Sequence, residues 1–482
     1  MLLGSLTLSA KVIHPMHPTV SPIDKRTADG SVKTKLLDLL RVPEALLVGG
    51  FGGVILFGAV ILALPVSGRV TFLDALFTST SAVCVTGLVV VDTATAYTLF
   101  GKTVIMMLIQ VGGLGIMTFA GFFFQLFGKR LSIKSKMVLE GSFFQQDIGI
   151  EFRQMFRQIL VITALAELAG TVLIFISLLW RSTAVPQALY SALFHSVSAF
   201  CNAGFSIYSD NLVGVRNSSI IMGTVMALIV IGGLGHIVLR ELWGRAKNCF
   251  ARKSSMGRAR FLSFHSRIVL AVTAILIVSG TLGLLLFGLT HREVTLTEKL
   301  SGALFQSVTA RTAGFNTVDI GRLPLASLLL IVLLMFVGGS PASCAGGIKT
   351  TALAVFLADL RAKLRGDPEV RLFNRRVPED TVKRINLLLG LATIWNLAGL
   401  FLLLVLESGK GMGFHDLLFE QISAFGTVGL STGVTDKLSA LGKLWIIVTM
   451  FMGRLGPLTL AVWVLPKKSV RIQYPEGRVL IG

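Results

Sequence analysis

Four segments of this chain read as copies of one another, and any fold the chain adopts has to accommodate them. LFTSTSAVCVTGL runs from Leu76 to Leu88, LFHSVSAFCNAGF from Leu193 to Phe205, LFQSVTARTAGF from Leu304 to Phe315, and LFEQISAFGTVGL from Leu418 to Leu430. Successive copies begin roughly 110 to 117 residues apart, a spacing that repeats a structural unit and not merely a motif. Each copy lies between apolar stretches, among them Ala45–Leu64, Ile159–Leu179, Ile268–Leu289 and Ile385–Leu406. About 20 helical residues cross a hydrocarbon core of roughly 30 Å. Composition agrees with a lipid-solvated exterior: 53% of the 482 residues are hydrophobic and 15% are charged, against about a quarter charged in soluble chains. The expected fold class is all-α integral membrane, with four pseudo-symmetric helix–pore-loop–helix repeats around one central pore and eight spanning helices.

The net charge of +20 is concentrated in connectors: Lys25–Arg41, Lys129–Arg157, Arg240–Arg267, Arg361–Arg384 and Lys467–Arg478. Each borders a membrane segment, which puts these runs and both termini in the cytoplasm. No soluble domain is left to form a nucleic-acid groove, so membrane lipid or an acidic partner surface is the expected counterpart. The expected units are a tail over 1–42, repeats over 43–130, 131–245, 246–362 and 363–466, and a tail over 467–482. The first tail has no secretory-signal pattern. Four cysteines without CxxC spacing form no disulfide framework or zinc site.

Between its spanning helices each unit holds a half-helix too short to cross, followed by a loop of small and β-branched residues. Irregular backbone at membrane depth is tolerated only where it is buried in protein or lines a water-filled path. Four such loops around an axis can present carbonyls that replace the hydration shell of potassium. Gly87, Gly204, Gly314 and Gly429 occupy the turn in the four copies, where positive φ aims successive carbonyls inward. No carboxylate stands there, which argues against an acidic selectivity ring. The plainer reading is that these glycines only pack helices, and the fourfold recurrence weighs against it.

The third repeat departs from the pattern. After Leu325–Val337 comes Gly338, Gly339, Ser340, Pro341, Ala342, Ser343, Cys344, Ala345, Gly346 and Gly347 before Ile348–Leu360 resumes. Gly and Pro are too dense there for a continuous helix; a kink is the alternative. GGLG at Gly112–Gly115 and Gly232–Gly235 is milder. Arg454 lies within the last apolar helix, where a charge needs a cavity or a partner. Arg311 is expected to brace its loop from behind through carbonyls or acids. Lys349 either meets a regulator or caps carbonyls. His195 and His236 lack companion ligands and read as packed or hydrogen-bonded histidines. No Walker sequence, Ser-His-Asp grouping or dinucleotide fingerprint occurs, so the chain is not expected to be an enzyme.

From about Pro43 onward, TSTSAVCVTGLVVVDT followed by LIQVGGLGIMTF resembles the Trk/Ktr potassium-transport superfamily, in particular its Ktr-type membrane subunits. The resemblance implies that backbone oxygens just before the glycine line the ion path, at Val85 and Thr86, Asn202 and Ala203, Thr312 and Ala313, and Thr427 and Val428. It implies potassium preference, because the first repeat carries Gly87 and not Ser. It makes Gly338–Gly347 an intramembrane gate and puts Arg454 beside it. It also implies a bacterial inner-membrane location, a homodimer, a cytosolic ring of nucleotide-binding regulatory subunits, potassium as substrate and sodium as a coupling or activating ion. The competing expectation is an alternating-access transporter for sodium or an organic solute; inverted repeats would favour it, whereas these repeats share one orientation.

Overall fold

The computed structural model describes residues 43–127, 151–250, 262–288 and 295–456. The two expected tails and much of the basic runs 129–157 and 240–267 lie outside the described residues. The described chain is almost entirely helical. The first copy of the unit is α1 (Pro43–Leu62), α2 (Phe72–Val83) and α3 (Leu99–Phe127), the second α4 (Glu151–Leu179), α5 (Val185–Phe200), α6 (Ser219–Leu234) and α7 (His236–Phe250). The third is α8 (Phe264–Phe287), α9 (Leu296–Thr309), α10 (Leu325–Phe336) and α11 (Thr350–Arg365); the fourth is α12 (Glu379–Leu406), α13 (Phe414–Gly426) and α14 (Ala440–Leu455). A small hairpin pairs β1 (Arg371–Leu372) with β2 (Arg375–Arg376) ahead of α12.

Three described helices are long and apolar enough to cross a membrane: Phe156–Leu179, Phe264–Phe287 and Glu379–Leu406. A fourth span results if the bent pair Ser219–Leu234 and His236–Ala246 counts as one. Among the described residues, length and apolarity alone thus pick out three or four of the expected eight. Two of the others, α10 and α14, are short helices of 12 and 16 residues.

The short helices α2, α5, α9 and α13 are mostly buried, and their starts are fixed by sequence. Thr71 caps α2 by accepting from the Asp74 amide. Thr295 and Glu298 form a reciprocal capping box at α9, Pro186 opens α5, and Asp416 accepts from the Gly413 amide at α13 at 3.1 Å. Such caps satisfy amides that a helix leaves without partners.

A repeated polar contact docks each short helix onto its unit's first helix. Ser79 donates to the Ile55 carbonyl at 2.7 Å, Ser196 to Glu167 at 2.6 Å and Ser307 to Ile277 at 2.9 Å. Three residues past each acceptor stands Gly58, Gly170 or Gly280, where a Cβ would collide with that hydroxyl. In the fourth unit Gln421 and Asn396 replace the serine–carbonyl pair, beside Gly399.

Contacts on the side where the loops return follow chain order. Ser209 donates to Asp92 at 2.6 Å, linking the first two units, and the Leu212 amide donates to Asn316 at 3.2 Å, linking the second and third. Gly321 of the third lies against the Thr432 carbonyl of the fourth. Lys443 of the fourth returns to Asp74 of the first, an ion pair of 3.0 Å whose side chains are 15% and 14% exposed.

The second-unit GGLG is a sharper break than its sequence indicates. Between α6 and α7 the axis turns by 109° at Gly235, whose φ is +82°. The Pro341 carbonyl occupies the space a Cβ would need, and the His236 amide donates to Ala342 at 3.1 Å. The turn exists because a segment of the third unit is inserted there. At Gly112–Gly115, by contrast, α3 runs on unbroken.

Candidate functional site

The four glycine loops share an unusual backbone. Two residues before each glycine, a non-glycine residue has positive φ: Val85 at +56°, Asn202 at +59°, Thr312 at +68° and Thr427 at +49°. The glycines follow at +93°, +68°, +77° and +90° for Gly87, Gly204, Gly314 and Gly429. Left-handed non-glycine residues are uncommon and persist where the surroundings over-determine them. Eleven of the twelve residues of the four triplets are buried, and Gly429 is half-buried.

These loops meet one another in a closed cycle. The space a Cβ would fill at Gly87 is taken by the Ala203 carbonyl, at Gly204 by Ala313, at Gly314 by Val428, and at Gly429 by Thr86. Each glycine thus abuts the carbonyl just before the next unit's glycine, and the fourth returns to the first. The expected oxygens of Thr86, Ala203, Ala313 and Val428 are brought together with the four glycines; only glycine permits the approach.

A hydroxyl on each short helix holds the loop that follows. Ser81 accepts from the Gly87 amide at 3.0 Å. Ser423 accepts from the Gly429 amide at 3.1 Å and donates to the Leu430 carbonyl at 2.6 Å. Ser198 donates to Phe205 at 2.8 Å and Thr309 to Phe315 at 2.7 Å. The sequence reading missed this hydroxyl, although it recurs at the sixth place of all four copies. It also missed Glu420, a buried carboxylate on α13 that accepts from Ser431 and Thr435 at 2.5 and 2.8 Å. The third place of the copies, holding Thr78, His195, Gln306 and Glu420, was the available signal. His195 bonds Ser206 at 2.9 Å and the Ser191 carbonyl at 2.8 Å, as a packed polar histidine.

Gly338–Gly347 forms an irregular loop between α10 and α11. Its ends are joined by the Gly338 amide donating to Ile348 at 2.8 Å. Neighbouring units pin the rest: Ser340 and Cys344 donate to Gly233 and Gly232 at 3.0 and 3.3 Å, and Gly347 donates to Gly453 at 3.3 Å. Gly346 lies against the Thr427 side chain, which puts this loop next to the fourth glycine loop. Buried Arg454 donates to the carbonyls of Cys344 and Gly112, spanning from the loop to α3. Lys349 donates to Ala345 at 2.6 Å, so among the two alternatives its contact here is carbonyl capping. Arg311 departs from expectation: its guanidinium reaches the Gly338 carbonyl at 3.5 Å. It takes the place held by Cys84, Cys201 and Gly426 in the other copies, one residue before the left-handed turn, and from there its guanidinium points to the loop between α10 and α11.

A cavity of about 260 Å³ lies beside this loop, lined by Cys201, His236, Ala342, Cys344, Lys349 and Arg454 among others. No group of three or more metal-ligating side chains occurs among the described residues. The arrangement offers carbonyl oxygens and fixed cations, which suits binding and passage of an ion more than bond-breaking chemistry.

Comparison with known proteins gives a consistent answer. Residues 56–470 match the family model described as "TrkH: Cation transport protein". The chain is 38% identical over 447 residues to Ktr system potassium uptake protein B of Vibrio alginolyticus, covering 90% of this chain and 93% of that protein. It is 36% identical to the protein of the same name from Bacillus subtilis, covering 93% and 99%. It is 35% identical to the potassium/sodium uptake protein NtpJ of Enterococcus hirae, covering 91% and 97%. The crystal structure of the potassium transporter TrkH from Vibrio parahaemolyticus superposes with a TM-score of 0.66 at 18% identity, covering 88% of this chain and 85% of that one, which is a likeness of fold.

Proposed function

The chain belongs to the TrkH cation transport family, an ion-transport and not an enzyme family, and from that premise we propose that it is the pore-forming subunit of a bacterial potassium uptake system. The observation that carries this reading is the closed cycle of four glycine loops. A potassium ion passing between them exchanges its hydration oxygens for carbonyls already held in place. The filter comprises Val85, Thr86 and Gly87, Asn202, Ala203 and Gly204, Thr312, Ala313 and Gly314, and Thr427, Val428 and Gly429. The four units over 43–130, 131–245, 246–362 and 363–466 surround that single path.

Below the filter, Gly338–Gly347 is the gate and Arg454 its latch. A glycine-rich loop without internal helical bonds has the low local stability that a moving element needs. Membrane potential drives potassium inward through the inner membrane, with both termini cytoplasmic. Sodium is a coupling or activating ion, a reading supported by the printed name of the Enterococcus relative. The basic cytoplasmic connectors receive a ring of nucleotide-binding regulatory subunits and anionic lipid, and two copies form a homodimer.

The test is potassium uptake in cells stripped of their own potassium transporters, at matched membrane expression, with and without a regulatory partner. Wild-type uptake, with loss or a shift toward sodium in Gly87→Ser and Gly314→Ser, is the expected outcome. Accumulation of another solute with no potassium movement in any variant would remove the reading.

A further inference from the structure

Three of the chain's four cysteines, Cys84, Cys201 and Cys344, are free thiols among the described residues. Two of them, Cys201 and Cys344, line the same cavity, although 143 positions separate them in the chain. The Cys344 amide donates to the Gly232 carbonyl at 3.3 Å, and Gly232 lies against the carbonyl of Phe200, the residue before Cys201. Cys201 directly precedes the second glycine loop, and Cys344 stands in the loop between α10 and α11. Their surroundings differ in a way that matters for reactivity. Cys344 is partly exposed and shares the cavity with the cations Lys349 and Arg454. Cys201 is buried, with the Glu167 carboxylate and the Gln110 amide oxygen each 3.9 Å from its sulfur. The thiolate is the form that oxidants attack, and reactive cysteines occupy electropositive, partly open surroundings.

We propose that Cys344 and Cys201 are an oxidant-responsive thiol pair whose disulfide ties the gate loop to the base of the second filter loop and holds the path closed. The proposal rests on the gate reading of Gly338–Gly347. The oxidant is a peroxide. The Cys344 thiolate attacks one peroxide oxygen and the O–O bond breaks, giving a sulfenic acid; the second oxygen leaves as hydroxide, which takes up the proton shed by the Cys344 thiol and becomes water. The Cys201 sulfur then attacks the sulfenic sulfur, its proton passing to Glu167 and on to the departing hydroxide, which leaves as a second water. Two thiols lose two electrons and two protons in all, and one peroxide becomes two waters. A thiol pair reached from the cytosolic side is kept reduced at rest, and disulfides formed there are transient signals and not structural ties.

The experiment uses the full chain in proteoliposomes treated with hydrogen peroxide. Rubidium flux and peptide mass spectrometry are read on the same samples, before and after a dithiol reductant. The expected result is a mapped Cys201–Cys344 disulfide, flux falling to the level of empty vesicles, and recovery of both on reduction. Cys201→Ser, normalised to its own untreated flux, loses the response, and Cys84→Ser keeps it. Absence of the 201–344 disulfide in the wild type overturns the pair. Its presence with unchanged flux overturns the lock, as does a response that persists in Cys201→Ser. If untreated wild type carries no rubidium, the transport reading fails, while the disulfide map still decides whether the thiols pair.

Discussion

Replacing one of the four loop glycines by alanine gives the sharpest test of the closed cycle, because the four positions differ in a measurable way. At Gly429 the added Cβ would stand 2.0 Å from the Thr86 oxygen and 2.9 Å from the Gly87 Cα, with φ at +90°. Both obstacles are backbone, so no rotamer change relieves them. A left-handed backbone costs a non-glycine residue about 1–2 kcal/mol, and overpacking costs about 1–3 kcal/mol. Together these disfavour the closed ring by about 2–5 kcal/mol, or roughly 30-fold to several thousand-fold at 1.4 kcal/mol per decade. The clash eases to 2.3 Å at Gly314, 2.4 Å at Gly87 and 2.7 Å at Gly204, where φ is +68°. Gly204→Ala should therefore be mildest and Gly429→Ala most severe. Gly302→Ala, on α9 with nothing within 4 Å of the new Cβ, is the control and should gain roughly 0.8–1.0 kcal/mol of helix propensity. Rubidium flux in proteoliposomes, with elution profiles to verify folding, reads the series. A folded Gly429→Ala protein conducting like wild type would refute the cyclic contact.

Four further outcomes follow from the same geometry. Ser423→Ala removes the acceptor of the Gly429 amide and the donor to Leu430; a cost of about 1–3 kcal/mol should fall on the filter and lower the potassium-to-sodium permeability ratio, read by reversal potential. Arg454→Lys cannot fork to two carbonyls, so flux should rise with the permeability ratio unchanged; lower flux from folded protein would contradict the latch. Shortening Gly338–Gly347 should likewise raise flux without loosening selectivity, measured by the same two assays. Asp74→Asn and Lys443→Met should each lower thermal stability by up to about 1 kcal/mol, and the double variant should lose no more than the worse single one, as a double-mutant cycle reads it.

What could be read from the sequence was what repetition writes into it. Gly87, Gly204, Gly314 and Gly429 are visible because each copy sets them in the same frame, and Pro341 among glycines forbids a helix wherever the chain goes. Contacts between distant segments leave no such trace. The Arg311 side chain reaches the Gly338 carbonyl because of how α9 and α10 are placed, and nothing in ARTAG encodes that direction. The bend at Gly235 was misjudged for the same reason. Gly112–Gly115 has the identical GGLG and stays helical, so the turn is imposed by Pro341 and Ala342 from another unit. Tertiary contact overrode local propensity there.

The departures from the repeat carry more of the mechanism than the repeat itself. At one register the second helices of the four units read GGLG, GGLG, GGSP and GRLG, at Gly112, Gly232, Gly338 and Gly453. A chain needing only a symmetric filter could keep four equal copies. Here the third copy gives up its helix for a loop, and the fourth exchanges a glycine for Arg454, whose guanidinium binds the Cys344 carbonyl in that loop. The second copy bends by 109° to receive it, and the first keeps its helix, presenting the Gly112 carbonyl as the other end of the Arg454 bridge. Each copy contributes a different part to one assembly, which implies that the symmetry was broken around the proposed gate loop as a unit. A local rule broken with compensating contacts marks a functional site, and these compensations converge on a single loop.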